Sequence, residues 1–200
     1  MSLSRFSSTM PHSQNRSRIP LAELLRAVEG GDRGALAEIY RQVESSVYAF
    51  ALSRLADADA AADVLQDVML TIWRRAGTFG GRSKARTWIL GIAHHKIADR
   101  WRRRDRDGYE LPDENAIDPD APCPHLDAEQ GERQKAVRRS LRSLSDAHRE
   151  VVHLAFYEDL SYSEIARILE IPEGMVKTRV FHAKKILARR LGADFAGDSP

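Results

Sequence analysis

The stretch Leu144 to Leu191, LSDAHREVVHLAFYEDLSYSEIARILEIPEGMVKTRVFHAKKILARRL, decides how this chain is read. Ser163, Glu164, Ile165, Ala166, Ile168 and Leu169 set out a short amphipathic helix. Glu170-Ile171-Pro172-Glu173-Gly174 has the chemistry of a tight turn, and Met175 opens a second helix. In that helix Val176, Val180, Ala183 and Leu187 recur at three- and four-residue spacing, which puts them on one face. The other face carries Lys177, Thr178, Phe181, His182, Lys184 and Lys185, a basic, hydrogen-bonding surface of the size a major groove admits. The pattern predicts a helix-turn-helix that touches DNA. The competing reading is a solvated charged face, common in all-α proteins, and the rest of the chain has to choose.

Working outward, the 200 residues hold 31 Lys and Arg against 29 Asp and Glu, a formal net charge of +2 that hides a strong asymmetry. Bases crowd the segment from Arg74 to Arg106, ending in Arg100-Trp101-Arg102-Arg103-Arg104. From Asp105 to Glu132 acids dominate, with Arg106 the single Lys or Arg among them, and from Arg133 bases lead again. Two basic blocks around an acidic spacer suggest two modules that meet a polyanion, joined by a segment repelled from it. Cys123 is the single cysteine, so an intrachain disulfide and a multi-cysteine zinc site are excluded. No apolar run reaches membrane-spanning length, no secretory core is present in MSLSRFSSTMPHSQNRSR, and a reducing, cytoplasmic setting fits.

The pattern is helical throughout and no strand signal competes. Residues 1–19 are Ser- and Arg-rich without periodicity and read as a disordered tail. Leu21, Leu24, Leu25 and Val28 predict a helix that Gly30-Gly31-Asp32 ends. Leu36, Ile39, Tyr40, Val43, Val47, Phe50 and Ala51 mark the buried stripe of the next, and Asp57-Ala58-Asp59 a capping turn. Val64, Val68 and Ile72 define a third helix. After a Gly-rich loop from Gly77 to Ser83, Thr87 to Arg104 forms a fourth with Trp88, Ile92 and Ile97 as core positions. Pro112, Pro119, Pro122 and Pro124 among aspartates make a linker, and Glu129 to Ser143 is again helical. The chain thus reads as all-α: two small helical modules, 20–105 and 132–191, joined by an acidic, Pro-rich flexible linker at 106–131 and closed by a short tail at 192–200. The second module ends in the helix-turn-helix.

Three constellations carry the chemistry. The arginine run beside Trp88 and Trp101 can grip phosphates while aromatic rings accept unstacked bases, as single strands are held. The bland alternative makes Trp88 a core residue, which its place in TWILGIA favours, but a like-charge run this dense repels itself unless an anion is near. Asp63, Gln66, Asp67 and Leu70 form an acidic and polar stripe away from Val64 and Val68, suited to a basic protein surface or else simply solvated. His94 and His95, as helix neighbours, point roughly 100° apart and cannot chelate one ion, and Cys123 with His125 is a weak metal signal. No nucleophile–base arrangement, phosphate-binding glycine loop or carboxylate pair stands out, so an enzyme, a cofactor and a metal are all unexpected.

Taken together, DVLQDVMLTIWR, TFGGRSKARTWILGIAHHKIADRWRRR and the Leu144–Leu191 stretch resemble a bacterial RNA polymerase sigma factor of the extracytoplasmic-function group. The likeness runs from about Leu21 to Leu191, and three motifs in the right order and spacing carry it. The resemblance implies that the first module binds core RNA polymerase and melts the minus-ten promoter element, and that the second reads the minus-thirty-five element. It places Asp63, Gln66, Asp67 and Leu70 against the β′ clamp helices, the second module near the β flap, and the loop from Phe79 to Arg86 where a flipped base is captured. Phe79, Arg82, Lys84 and Arg86, with His95, Asp99, Arg100 and Arg103 on the fourth helix, become the melted-strand set. Lys177, Thr178, Phe181 and His182, flanked by Lys184 and Lys185, become the duplex-reading set, with Arg149 on the backbone. An anti-sigma factor wedged between the modules is the implied regulator.

The chain departs from the usual pattern at Ala85, where many relatives carry a bulky aromatic, and at His95, where asparagine is common, so their minus-ten preference does not transfer. His182 stands where arginine is frequent, and Ala62 where a glutamate precedes the acidic motif. The alternative is a stand-alone helix-turn-helix regulator. It leaves the acidic stripe and the Trp/Arg helix unexplained and would need a dimer interface, for which the sequence offers no coiled coil; no homo-oligomer is expected.

Overall fold

The computed structural model describes residues 19–106, 137 and 139–196. The expected N-terminal tail and acidic linker, with Cys123 and His125, lie outside the described residues. Among the described residues all regular structure is helical. Helix α1 (Leu21–Glu29) turns at Gly31, whose φ of +87° a side chain would resist, into α2 (Arg33–Leu55). Asp32 caps α2 by accepting from the Ala35 amide at 3.1 Å, and Asp57 caps α3 (Ala58–Arg75) through Ala60 at 2.9 Å. A 3₁₀ turn at Ala76–Thr78 and a loop lead to α4 (Ala85–Arg106). Residues 139–142 are helical, then α5 (Asp146–Val152) runs into a π-helical turn at His153–Tyr157. Helices α6 (Tyr162–Leu169) and α7 (Glu173–Ala196) form the helix-turn-helix.

The apolar stripes pack as their spacing dictates, except at Tyr40, which the spacing assigns to the buried stripe of α2 and which is exposed. Ile39, Val43, Val47 and Phe50 of α2 are fully buried with Val64, Val68 and Ile72 of α3. Helix α4 differs from expectation. Ile97 is buried, but Trp88 and Ile92 are only half-buried, and Ile89, Leu90 and Ala93 fill the core instead. The reason is that α4 is covered from two sides, by α2 and α3 on one and by α6 on the other. The recognition helix also begins two residues early, at Glu173, because the Met175 and Val176 amides donate back to the Pro172 carbonyl.

The two modules share a core. Ile165, Ile168 and Leu169 of α6 and Val176 and Val180 of α7 belong to the same apolar cluster as Ile89, Leu90 and Ala93 of α4. A smaller cluster of Leu144, Val152 and Ala183 holds α5 to α7. The π turn, whose extra residue rotates the chain beyond it, buries His153 while Phe156 and Tyr157 face outward. Its end is marked by Asp159 at φ +51°, which returns Glu158 and Leu160 to the interior.

Candidate nucleic-acid interface

The helix-turn-helix is locally well determined. Ser161 and Glu164 make a reciprocal capping box: the Ser161 Oγ accepts from the Glu164 amide at 3.3 Å, and Glu164 Oε2 accepts from the Ser161 amide at 2.9 Å. Glu170 ends α6 at φ +54°, the left-handed geometry that turns the chain into α7. Val176, Val180 and Ala183 are buried as their spacing requires, and Leu187 is half-buried. Lys177, Thr178, Phe181, His182, Lys184 and Lys185 are all exposed, so the structure brings the whole duplex-reading set onto one open face. Lys177 Nζ rests 2.8 Å from Glu173, whose hydrogen bond and charge raise the ammonium pKa. Lys184 sits over the Phe156 ring at 5.1 Å, an aromatic neighbour that the helix-turn-helix spacing gave no means of finding. His182 lies beside His148, the rings 6.4 Å apart. Partial burial, then the charges of His182 and Arg179, lower the His148 pKa.

Arg149 does not join that face. Its guanidinium donates to the carbonyls of Leu141, Ser53, Arg142 and Leu144, closing the end of the 139–142 helix and tying it to α2. With Asp146 Oδ1 as a fifth acceptor at 3.4 Å, the fork is a bracket between modules.

Of the melted-strand set, Arg82 and His95 line a cleft of about 540 Å³, together with Thr71, Arg75, Trp88 and Arg167 among others. Phe79 packs on Trp88 with ring centroids 5.6 Å apart, which makes an aromatic wall. Lys84 and Arg86 frame the loop end, His95 the middle of α4, and Arg103 is exposed further along. Asp99 pairs with Arg102. Arg100 turns to α3, its guanidinium 3.2 Å from Asp63 and 3.7 Å from Asp67. The acidic stripe is otherwise open: Asp63, Gln66 and Leu70 are exposed, Asp67 partly so, and Trp73 extends the apolar part of the patch.

Sequence reasoning missed the acids of the second module that meet cations and polar groups of the first. Glu158 Oε2 accepts from Arg86 Nε at 2.9 Å and Nη2 at 2.6 Å. Burial would raise the Glu158 carboxyl, but polar contacts with His153 and Ser46 and the Arg86 charge outweigh it and hold the pKa down at about 2. Glu164 Oε1 lies 3.0 Å from Lys84 Nζ and accepts from Thr87 Oγ1 at 3.4 Å. Its pKa is likewise brought to about 2, burial being outweighed by the Ser161 hydroxyl and amide and then by Lys84. Glu150 Oε1 sits 2.8 Å from His94 Nδ1 and 3.6 Å from Arg54 Nε. Nothing in the helical periodicity marks these glutamates; being buried while charged is their signature, and only the packed structure displays it.

A helix-turn-helix with an open basic face, behind a helical module with an aromatic-walled basic cleft and an acidic stripe, defines a promoter-binding transcription initiation protein. Residues 39–107 match Sigma-70 region 2 and residues 134–187 match Sigma-70, region 4. The ECF RNA polymerase sigma factor SigK of Mycobacterium tuberculosis (strain H37Rv) is 31% identical over 170 residues, covering 84% of this chain and 91% of that protein. SigK of Mycolicibacterium vanbaalenii is 30% identical over 184 residues, covering 88% and 94%. The chain belongs to the ECF RNA polymerase sigma factors. Its fold is that of the sigma factor RpoE solved with the anti-sigma factor NepR from Bartonella quintana, at TM-score 0.66 and 24% identity over 79% of this chain and 97% of that one. The fold is also shared with CnrH, solved with the cytosolic domain of CnrY, at TM-score 0.60 and 21% identity over 89% and 98%. Among the described residues no helix is long and apolar enough to cross a membrane.

Proposed function

We propose that this chain brings core RNA polymerase to its promoters by three separate surfaces. The exposed stripe of Asp63, Gln66, Asp67 and Leu70 docks on the polymerase β′ clamp helices, with the second module against the β flap. The open face of α7 reads the minus-thirty-five duplex through Lys177, Thr178, Phe181, His182, Lys184 and Lys185, each good bidentate base contact discriminating by about 1–3 kcal/mol. The loop and α4 take the melted minus-ten strand: Phe79 and Trp88 stack an unpaired base, while Arg82, Lys84, Arg86, His95 and Arg103 meet phosphates and base edges. Residues 20–105 are the docking and melting module, and 132–191 the duplex-reading module. No bond is made or broken by this chain; it supplies binding energy and the polymerase supplies the chemistry. Arg149 stays outside the DNA-contacting set because its donors are already used.

The observation that carries this reading is the coexistence, on one chain, of an open acidic stripe on α3 and an open basic face on α7. A duplex-binding regulator acting alone has no use for the first. Regulation by an anti-sigma factor, a cytoplasmic setting and action as a single copy complete the proposal. RpoE, solved with the anti-sigma factor NepR, supports its first element.

The test is transcription in vitro with purified protein and core polymerase on fragmented genomic DNA, mapping the 5′ ends. Defined starts that need both proteins are the expected result. Duplex binding without any polymerase-dependent start would overturn it in favour of a stand-alone regulator.

A further inference from the structure

The described histidines are partnered in two ways. His94 Nδ1 lies 2.8 Å from Glu150, His153 Nε2 3.7 Å from Glu158, and His95 Nε2 3.6 Å from Glu170. His148 of α5 and His182 of α7 face each other instead, their ring centroids 6.4 Å apart and the planes tilted by 55°. Burial acts on His148 first, then the charges of His182 and Arg179, and among the described residues no carboxylate joins them. The acids of α5 are directed elsewhere: Asp146 meets Arg149 at 3.4 Å, and Glu150 meets His94 and Arg54. On α7 Glu173 is held by Lys177, and in the π turn Glu158 is held by Arg86. The helical segment at 139–142 brings Arg139 and Arg142, and on α2, which also packs on α5, Arg54 turns to Glu150.

Two imidazoles and a guanidinium gathered without an acid make a place that an anion completes. Ser145 adds a second observation, its Oγ lying 2.9 Å from His148 Nδ1. A hydroxyl donates to the bare nitrogen of a neutral ring and accepts from the N–H of a charged one. The contact therefore survives protonation and leaves Nε2–H as the ring's donor in either state. Ser145 and His182 are exposed and His148 is half-buried, so the pair opens to solvent. His182 stands on the face of α7 proposed to read the duplex, which makes a backbone phosphate of that duplex the anion at hand.

We propose that His148 and His182 form a proton-linked clamp for one backbone phosphate of the upstream duplex, so that this chain takes up protons as it binds and holds its promoters more tightly in acid. This rests on the reading of α7 as the duplex-reading face and adds to it a contact from a second helix. In the free chain the neighbouring charges keep His148 below its ordinary 6.5. A phosphate between the rings favours the charged form of both. The bound chain then carries more protons than the free one, and affinity falls as pH rises from the free value to the higher bound value.

The experiment uses the full chain in phosphate-free buffer, with a fluorescent duplex from the upstream half of a promoter recovered by transcript mapping, and a scrambled duplex. Between pH 8 and pH 6 the wild type is expected to gain about fivefold to tenfold in affinity. Its salt dependence should steepen by about one released counterion. His148→Gln should lose about fivefold at pH 6 and little at pH 8, equally on both duplexes, because a phosphate contact carries no sequence information. His148→Arg, charged at either pH, should bind about fivefold more tightly than the wild type at pH 8 and change little with pH. Damaged packing cannot produce opposite signs in the two variants. A pH dependence that His148→Gln retains in full, or two variants that weaken binding alike, would overturn the proposal. If Lys177→Glu leaves duplex affinity unchanged, the reading of α7 falls and takes this proposal with it. If Lys177→Glu abolishes binding while His148→Gln is silent, the clamp alone is refuted.

Discussion

The recognition helix and the loop–α4 surface are both basic and both proposed to meet promoter DNA, yet the fold treats them in opposite ways. On α7 the cations stand in solvent on one face of a helix whose other face is buried, and Lys177 has only its own neighbour Glu173 beside it. On the first module Lys84, Arg86 and His95 meet carboxylates that come from more than sixty residues away. The lesson is that a basic surface is available in proportion to what else in the chain can reach it. The cations of the first surface face solvent, and those of the second face carboxylates of the same chain.

The largest expected effect tests whether the two regions stand on one core. Phe50→Ala removes a fully buried ring that packs the α2 stripe and meets His153 at 5.3 Å, so it should cost about 3–5 kcal/mol in urea unfolding. Two separate transitions, with the second module unaffected, would break the single-core picture. Reversal of charge at Lys177 and Lys185 should lower transcription by more than about tenfold through duplex binding, leaving affinity for core polymerase as it was. The converse pair, Asp63→Lys with Asp67→Lys, should weaken core binding by about tenfold in a polymerase titration while duplex affinity is kept. If either pair damages both activities alike, the separation of surfaces fails.

A pH titration sharpens the contrast further. Glu158 and Glu164 have folded pKa values of about 2 against an ordinary 4.5. A carboxylate held below its unfolded value adds stability above the unfolded value and surrenders it as pH falls through the folded one. The seam should therefore be at full strength above about 4.5 and weaken progressively toward about 2, read as a growing distance between dyes on the two modules. Loss of the seam at neutral pH would show that other groups control it. The smallest effect is local: Asp32→Ala deletes the α2 cap and should cost about 1 kcal/mol, with no change at either DNA surface.

Much of this was legible in the order of residues. Repeating apolar positions at helical spacing give α2, α3 and α7, because a helix in water must bury one stripe and the spacing names it. Turn and cap residues, Gly31 with Asp32, Asp57, and the Ser161–Glu164 box, punctuate them. Local rules of that kind reach three or four residues, so they found the exposed face of α7 in full. They misjudged α4, where Ile89, Leu90 and Ala93 are covered by a helix from the other module and Trp88 is left on the rim of a cleft. They also could not assign Arg149, whose four carbonyl acceptors belong to three different segments of backbone.

By itself, then, the sequence determined the helices, their caps, the helix-turn-helix and its basic face, the acidic stripe, and through three spaced motifs the family. What the tertiary structure alone decided is which charges answer one another: Glu158 with Arg86, Glu164 with Lys84, Glu150 with His94, Arg100 with Asp63. The reason is physical. Helical periodicity is a short-range property of the backbone, whereas an ion pair depends on distance in space and on the water excluded around it, and both are set only when distant segments pack.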